Sequence, residues 1–298
     1  MIGEEYVFKR PNGDSIRGIR WPNPEGKAVL IIVTGMEEHA SRYEHFAVSF
    51  HEQGFEVFCL DHFGQGANAR DEKKRGVWPV GAFETTVDVV SELIDKVKND
   101  RPVYLFGHSL GSFISQRFIQ KYGHKLEKVV LCGTNGPDKM VKIGFMLANL
   151  IVGKRGYQKK SKLFNDMVFG AYAKSIPNAK TPFDWLSYNE ENVTKYIEDP
   201  YCGYGSTGGF YKEFLRGLSK LFKKSELEKI PKELPILLIA GSEDPVGNHG
   251  IGVHELEGIY RTLGIKTVRK IIYEHMRHEI LNEIDRHLVY QDVTNFLK

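Results

Sequence analysis

An α/β fold, with a mainly parallel central sheet flanked by helices and a helical cap inserted after the sixth strand, is what the sequence predicts. Three observations predict it. Short apolar runs alternate with stretches whose apolar residues recur every three or four positions. Most of the runs are continuous rather than alternating, as in strands buried on both faces of a parallel sheet. One long interval carries no strong strand signal at all.

Taken in order, residues 6–8 and 16–21 are short strand-like segments divided by Pro11-Asn12-Gly13-Asp14, a hairpin signal, so the chain is expected to open with an antiparallel pair. Further runs follow at 28–33, 57–60, 103–106, 129–132, 236–240 and 268–273. Helices are expected over 41–52, 82–98, 109–122, 253–263 and 280–297. From about Asn135 to Leu221 helix-like segments, an aromatic-rich middle and the loop Gly203-Tyr204-Gly205-Ser206-Thr207-Gly208-Gly209 break the alternation. The neighbouring strands need no such insert for their own pairing, and long connections outside a scaffold often carry function. The expected division is therefore a core of 1–134 and 222–298, with 135–221 as a cap over the carboxyl end of the sheet.

With 298 residues, 41% hydrophobic and 27% charged, and a mean hydropathy of -0.34, the chain is long enough to bury a core and still enclose a pocket. A net charge of +3 is too slight for a dedicated nucleic-acid binder. Cys59, Cys132 and Cys202 are odd in number and widely spaced, which indicates neither a disulfide framework nor a zinc site. The opening Met1-Ile2-Gly3-Glu4-Glu5-Tyr6 lacks a basic and apolar leader, so a reducing cytoplasm is expected. The longest apolar stretch, 143–153, falls short of the ~20 residues that cross a bilayer.

Chemistry concentrates where a predicted strand runs straight into a predicted helix, at Gly107-His108-Ser109-Leu110-Gly111. A G-x-S-x-G placed there has the context of a nucleophile elbow. The turn is too tight for side chains two positions either side of the nucleophile, so Gly107 and Gly111 leave room while Ser109 projects. Among 30 glycines the pentapeptide alone is a weak signal; the strand and helix around it make it strong. No G-K-[ST] follows, which disfavours a phosphate loop.

A serine hydroxyl needs a base, and the base needs an acid to orient it. In this architecture they should follow in the order acid, then histidine. Run 236–240 ends in Gly241-Ser242-Glu243-Asp244, making Asp244 the expected acid and Glu243 the reserve. Run 268–273 ends in Glu274-His275-Met276-Arg277-His278, and chain order alone does not separate His275 from His278. Two backbone donors must hold the oxyanion. They are expected at Leu110, directly after the nucleophile, and at Met36, in the loop after run 28–33 where Gly35 lets the chain turn.

These residues resemble the α/β-hydrolase superfamily and, within it, the monoacylglycerol lipase and lysophospholipase-like serine hydrolases. Thr34-Gly35-Met36-Glu37-Glu38-His39-Ala40-Ser41-Arg42-Tyr43 resembles that group's His-Gly-x-x-Glu-His-x-x-Arg-Tyr, and Asp61-His62-Phe63-Gly64-Gln65-Gly66 its Asp-His-x-Gly-His-Gly turn. Phe183-Asp184-Trp185-Leu186-Ser187 and Asp199-Pro200-Tyr201-Cys202-Gly203 look like cap motifs of bacterial members. The resemblance implies Asp244 as the acid and, as the histidine before Glu279, His278 as the base. It also implies a bacterial enzyme, cytoplasmic or membrane-associated, that acts on monoacylglycerols, lysophospholipids or short- to medium-chain esters without metal or organic cofactor. Two departures, Thr34 and Gln65, stand where the group has histidine and bear on support of the oxyanion loop.

Segment 139–155 is apolar, contains methionine and is fenced by cations, which suits either a lid that contacts lipid or acyl chains, or packing of the cap onto the core. Two rival functions remain. A serine aminopeptidase would enlist cap carboxylates such as Glu190, Glu191 and Asp199 for a substrate amine. A slow-turnover binding protein would keep the triad and use the cap as a partner surface.

Overall fold

The computed structural model describes residues 3–154 and 156–298, so Met1, Ile2 and Arg155, the last cation of the 139–155 segment, lie outside the described residues. Eight strands form one sheet: β1 (Glu4–Lys9), β2 (Ser15–Trp21), β3 (Ala28–Val33), β4 (Phe55–Leu60), β5 (Val103–His108), β6 (Lys128–Cys132), β7 (Ile236–Gly241) and β8 (Val268–Tyr273). Their spatial order is β1-β2-β4-β3-β5-β6-β7-β8. The pairs β1·β2 and β2·β4 are antiparallel, and every pair from β4 to β8 is parallel. All eight expected strands are present, including the opening hairpin, whose turn is closed by Arg10 N–H donating to Asp14 O at 2.8 Å.

The continuous apolar runs bury both faces. In β3, Val29, Ile31 and Val33 face one hydrophobic cluster while Ala28, Leu30 and Ile32 face the other. Each fully buried Val, Leu or Ile contributes about 1.5–3 kcal/mol over exposure. On the first face lie residues of α2 (Ala82–Val97), α3 (Leu110–Tyr122) and α9 (Ile251–Thr262). On the second lie those of α1 (Glu44–His51) and α10 (Arg286–Leu297). The remaining helices, α4 (Lys139–Ile151), α5 (Lys162–Lys174), α6 (Glu190–Glu198), α7 (Gly208–Leu221) and the short α8 (Lys224–Leu227), all fall between β6 and β7. No helix of the described residues is long and apolar enough to cross a membrane.

One expected helix is shorter than its pattern. The last begins at Arg286 rather than at residue 280. The reason lies in where the preceding amides go: His278 N–H donates to Trp185 O at 3.4 Å and Glu279 N–H to Leu186 O at 2.7 Å. The Glu283 carboxylate meanwhile accepts from the amides of Arg277 and Tyr188. Ile280 and Leu281 are buried as the apolar periodicity requires, but the backbone around them is committed to another segment.

Candidate active site

Parallel β-strands deliver the site residues to the carboxyl edge of the sheet. Strand β5 turns into α3 at Ser109, whose backbone sits at φ 53, ψ -119. A β-carbon at Gly111 would lie 2.0 Å from Val33 O, and one at Gly107 2.3 Å from Ser115 Oγ, so the turn closes only with glycine at both places. Ser109 is half-buried, and its amide donates to Cys132 O at 2.9 Å, tying the turn to the end of β6. As the first residue of α3, Leu110 has an N–H with no acceptor inside its own helix.

Asp244 follows β7 and His278 follows β8. Both are fully buried, and His278 Nδ1 lies 2.9 Å from Asp244 Oδ1. A carboxylate only accepts, so Nδ1 carries the proton and Nε2 is left as the basic nitrogen. Asp244 Oδ1 also accepts from Val246 N at 2.9 Å, while Oδ2 is buried with no partner among the described residues. The alternatives lie elsewhere: the His275 side chain is 89% exposed, and Glu243 accepts from Tyr188 Oη at 2.5 Å on the surface.

Ser109, Leu110, Met36 and His278 line one cavity of about 50 Å³. Its other walls are mainly apolar, with Phe113, Val168, Phe169, Tyr172, Trp185 and Phe214 prominent. The Trp185 ring lies over His278 with centroids 5.1 Å apart. Of the aromatic-rich middle of the 135–221 segment, Trp185 and Tyr196 thus line the cavity directly.

Around this cavity lies a buried charge cluster that sequence reasoning missed. Arg42 donates two bonds to Glu279 at 2.5 and 2.8 Å, and one each to Glu38 at 3.1 Å and Asn192 at 3.0 Å. Glu38 also accepts from Tyr43 Oη at 2.7 Å and lies 3.3 Å from His108 Nδ1. Burial opposes its ionisation, but the bond to His108, the charges of His108 and Arg42, and the Tyr43 hydroxyl together hold its carboxyl well below the usual range. Burial likewise disfavours a charged His108, and the facing Glu38 outweighs that to raise its pKa. The Glu-His-x-x-Arg-Tyr spacing holds Glu38, Arg42 and Tyr43; nothing in it shows that Arg42 reaches the residue beside His278. Gly133, at φ +57, was missed as well: a β-carbon there would stand 2.9 Å from His278 Cε1. A glycine directly after a parallel strand was its only signal.

The two departures in the oxyanion loop have different consequences. Gln65 Nε2 donates to Gly35 O and Glu38 O, and its Oε1 accepts from Glu37 N at 3.0 Å, so this amide side chain braces the loop. Thr34 offers its carbonyl to His62 Nε2 at 2.9 Å, while its hydroxyl has no partner among the described residues.

Residues 24–285 match the sequence model of the Hydrolase_4 family, described as serine aminopeptidase, S33. The chain is 26% identical over 300 residues to the monoacylglycerol lipase of Mycolicibacterium smegmatis, an alignment that covers 98% of this chain and 96% of that one. It is 24% identical over 298 residues to the probable lysophospholipase L2 of Haemophilus influenzae, covering 93% and 85%. Among solved structures, a highly thermostable carboxyl esterase from Bacillus coagulans, in complex with glycerol, superposes with a TM-score of 0.90 at 27% identity, covering 100% of this chain and 98% of that one.

Proposed function

The chain belongs to the Hydrolase_4 family, serine aminopeptidase S33, and acts as a hydrolase on ester bonds; we propose that its reaction runs through an acyl-enzyme on Ser109. The observation that carries this reading is the buried 2.9 Å contact between His278 and Asp244 at the cavity that Ser109 lines. Ser109 Oγ attacks the ester carbonyl as His278 Nε2 takes its proton. The Met36 and Leu110 amides hold the negative oxygen of the tetrahedral intermediate, and Asp244 balances the imidazolium. Collapse expels the alcohol, which leaves with the proton from His278. Water, deprotonated by the same nitrogen, then releases the acid.

Residues 135–221 are read as a cap whose aromatic and aliphatic side chains wall the acyl site. The apolar lining and the relatives named monoacylglycerol lipase and lysophospholipase support monoacylglycerols, lysophospholipids or short- to medium-chain esters as substrates. The cap carboxylates that the aminopeptidase alternative would enlist stand away from the site, and the two carboxylates that do line the cavity, Glu38 and Glu279, are both engaged by Arg42. Glu190 pairs with Lys180, Glu191 with Lys195 and Asp199 with His39, and none of the three lines the cavity. Purified protein is expected to hydrolyse p-nitrophenyl esters and 1-monoacylglycerol and to leave aminoacyl-amides intact. Faster turnover of the amides in a side-by-side assay would reverse the assignment.

The same reading makes the outer face of α4 a lipid-contact surface. Only Gly144 and Ala148 of this helix are buried, whereas Met140, Ile143, Met146, Leu150 and Ile151 are exposed. Exposed Lys139, Lys142 and Lys154 stand at its margins, a pattern suited to anionic headgroups. A Met146→Glu, Leu150→Glu double variant should bind phosphatidylglycerol vesicles at least about tenfold more weakly in a flotation assay. Its turnover of a water-soluble ester should be unchanged. Equal vesicle binding by both proteins would leave α4 as cap packing alone. The buried, free Cys59, Cys132 and Cys202 fit a reducing compartment.

A further inference from the structure

Glu37 follows the expected oxyanion donor Met36, and its backbone stands at φ 56, in the left-handed region that glutamate seldom adopts. It is almost wholly buried, and no described cation forms an ion pair with it. Its polar atoms are nonetheless all occupied. The amide donates to Gln65 Oε1 at 3.0 Å, which fixes the core side of the loop. On the other side, Oε1 accepts from Ser206 Oγ at 2.7 Å and Oε2 from Gly205 N at 2.9 Å. The carbonyl accepts from Tyr196 Oη at 3.1 Å and from Gly203 N at 3.2 Å. Four donors from a single stretch, 196–206, therefore converge on one residue of the loop that carries Met36.

A carboxylate taken out of water without a cation is costly unless its oxygens are satisfied by donors. Burial pushes the Glu37 carboxyl pKa up, and what opposes it are the Ser206 and Gly205 donors of the 205–206 turn and, less strongly, the charge of Lys160, which itself donates to Gly205 O, so the carboxylate draws its support from that turn being in place. If the turn withdraws, Glu37 loses both partners, and the left-handed backbone loses what holds it against its own steric preference.

We infer that Glu37 is a positioning residue that fastens the oxyanion loop to the 196–206 segment, so that the Met36 amide is aimed at the reacting oxygen only when that segment is seated. The inference rests on the acyl-enzyme reading of Ser109. Because a tetrahedral oxyanion exists in the transition state and not in the bound ester, loosening the loop lowers kcat far more than it raises KM.

Glu37→Gly removes the side chain while suiting the backbone, since glycine adopts positive φ freely. The expected result is a fall in kcat of about 10- to 100-fold with KM little changed, together with a parallel loss of affinity for a trifluoromethyl ketone that forms a tetrahedral adduct. Ser206→Ala approaches the same contact from the other end and should lower kcat in the same direction. The double variant should be no worse than Glu37→Gly alone. A kcat for Glu37→Gly equal to wild type overturns the inference, as does strict additivity of the two substitutions. If Glu37→Gly does not fold, Glu37→Asp, too short to reach both donors, takes its place with the same expected and overturning results. Ser109→Ala assayed alongside separates the two claims: turnover surviving in it removes the acyl-enzyme reading, whereas an inactive Ser109→Ala beside a fully active Glu37→Gly removes only the role of Glu37.

Discussion

Ser109→Ala is expected to lower kcat toward p-nitrophenyl esters by on the order of 10⁴-fold or more, with folding intact. Alanine keeps the β-carbon, so the backbone at φ 53 is no more strained than before and the contacts of Gly107 and Gly111 are untouched. What disappears is the hydroxyl proposed to form the acyl-enzyme. The cavity and its backbone donors persist, so a residual rate above that of water should remain. Thermal melting of both proteins, measured beside steady-state rates, makes the comparison clean. Turnover within tenfold of wild type in a variant that melts normally would end the serine mechanism for this chain.

The second large effect separates two histidines three positions apart. His278→Ala should cost about as much as Ser109→Ala, because residues acting as a unit do not contribute additively. His275→Ala should change kcat little, since that side chain is 89% exposed and its nearest carboxylate, on Glu243, is 3.7 Å away. Asp244→Asn gives a finer result. An asparagine oxygen can take over both bonds now made to Oδ1, while its amide nitrogen occupies the position of the unpartnered Oδ2. The histidine then keeps its tautomer and loses only the balancing charge. The fall should be smaller than the roughly 10⁴-fold that accompanies a wrong tautomer. Equal losses in Asp244→Asn and Asp244→Ala would contradict that orientation.

The sheet was legible because runs such as 28–33 and 236–240 are apolar without interruption, and strands covered on both faces leave that trace. The elbow was legible because its chemistry is local: two glycines and a serine at a strand-to-helix junction. Asp244 as the candidate acid followed from chain order. His278 did not separate from His275 on order alone, because burial distinguishes them and burial is a product of packing. The start of the last helix misled for a related reason. Residues 280–285 carry a helical pattern of apolar side chains, but hydrogen bonds to residues 185–188, nearly a hundred positions away, claim the backbone around them. The Arg42 bridge to Glu279 spans 237 positions and was invisible in the same way. Nothing in the sequence marks Glu37, since three of its four donors from 196–206 belong to a glycine-rich stretch that reads only as loop punctuation.

The carbonyls of Trp185 and Leu186, which receive the amides of His278 and Glu279, set a limit on modularity. His278, the proposed general base, is not held by the sheet alone; part of its cradle comes from the segment between β6 and β7. Exchanging that segment for one from a relative, the obvious route to a new chain-length preference, also exchanges the backbone that seats the base. A graft that keeps residues 183–188 unchanged preserves that seat, whereas one that begins upstream and replaces them must supply two acceptors in the same place. On the proposed reading, selectivity and competence are wired through one loop, and a library that varies this region is expected to lose activity for reasons unrelated to the ester offered.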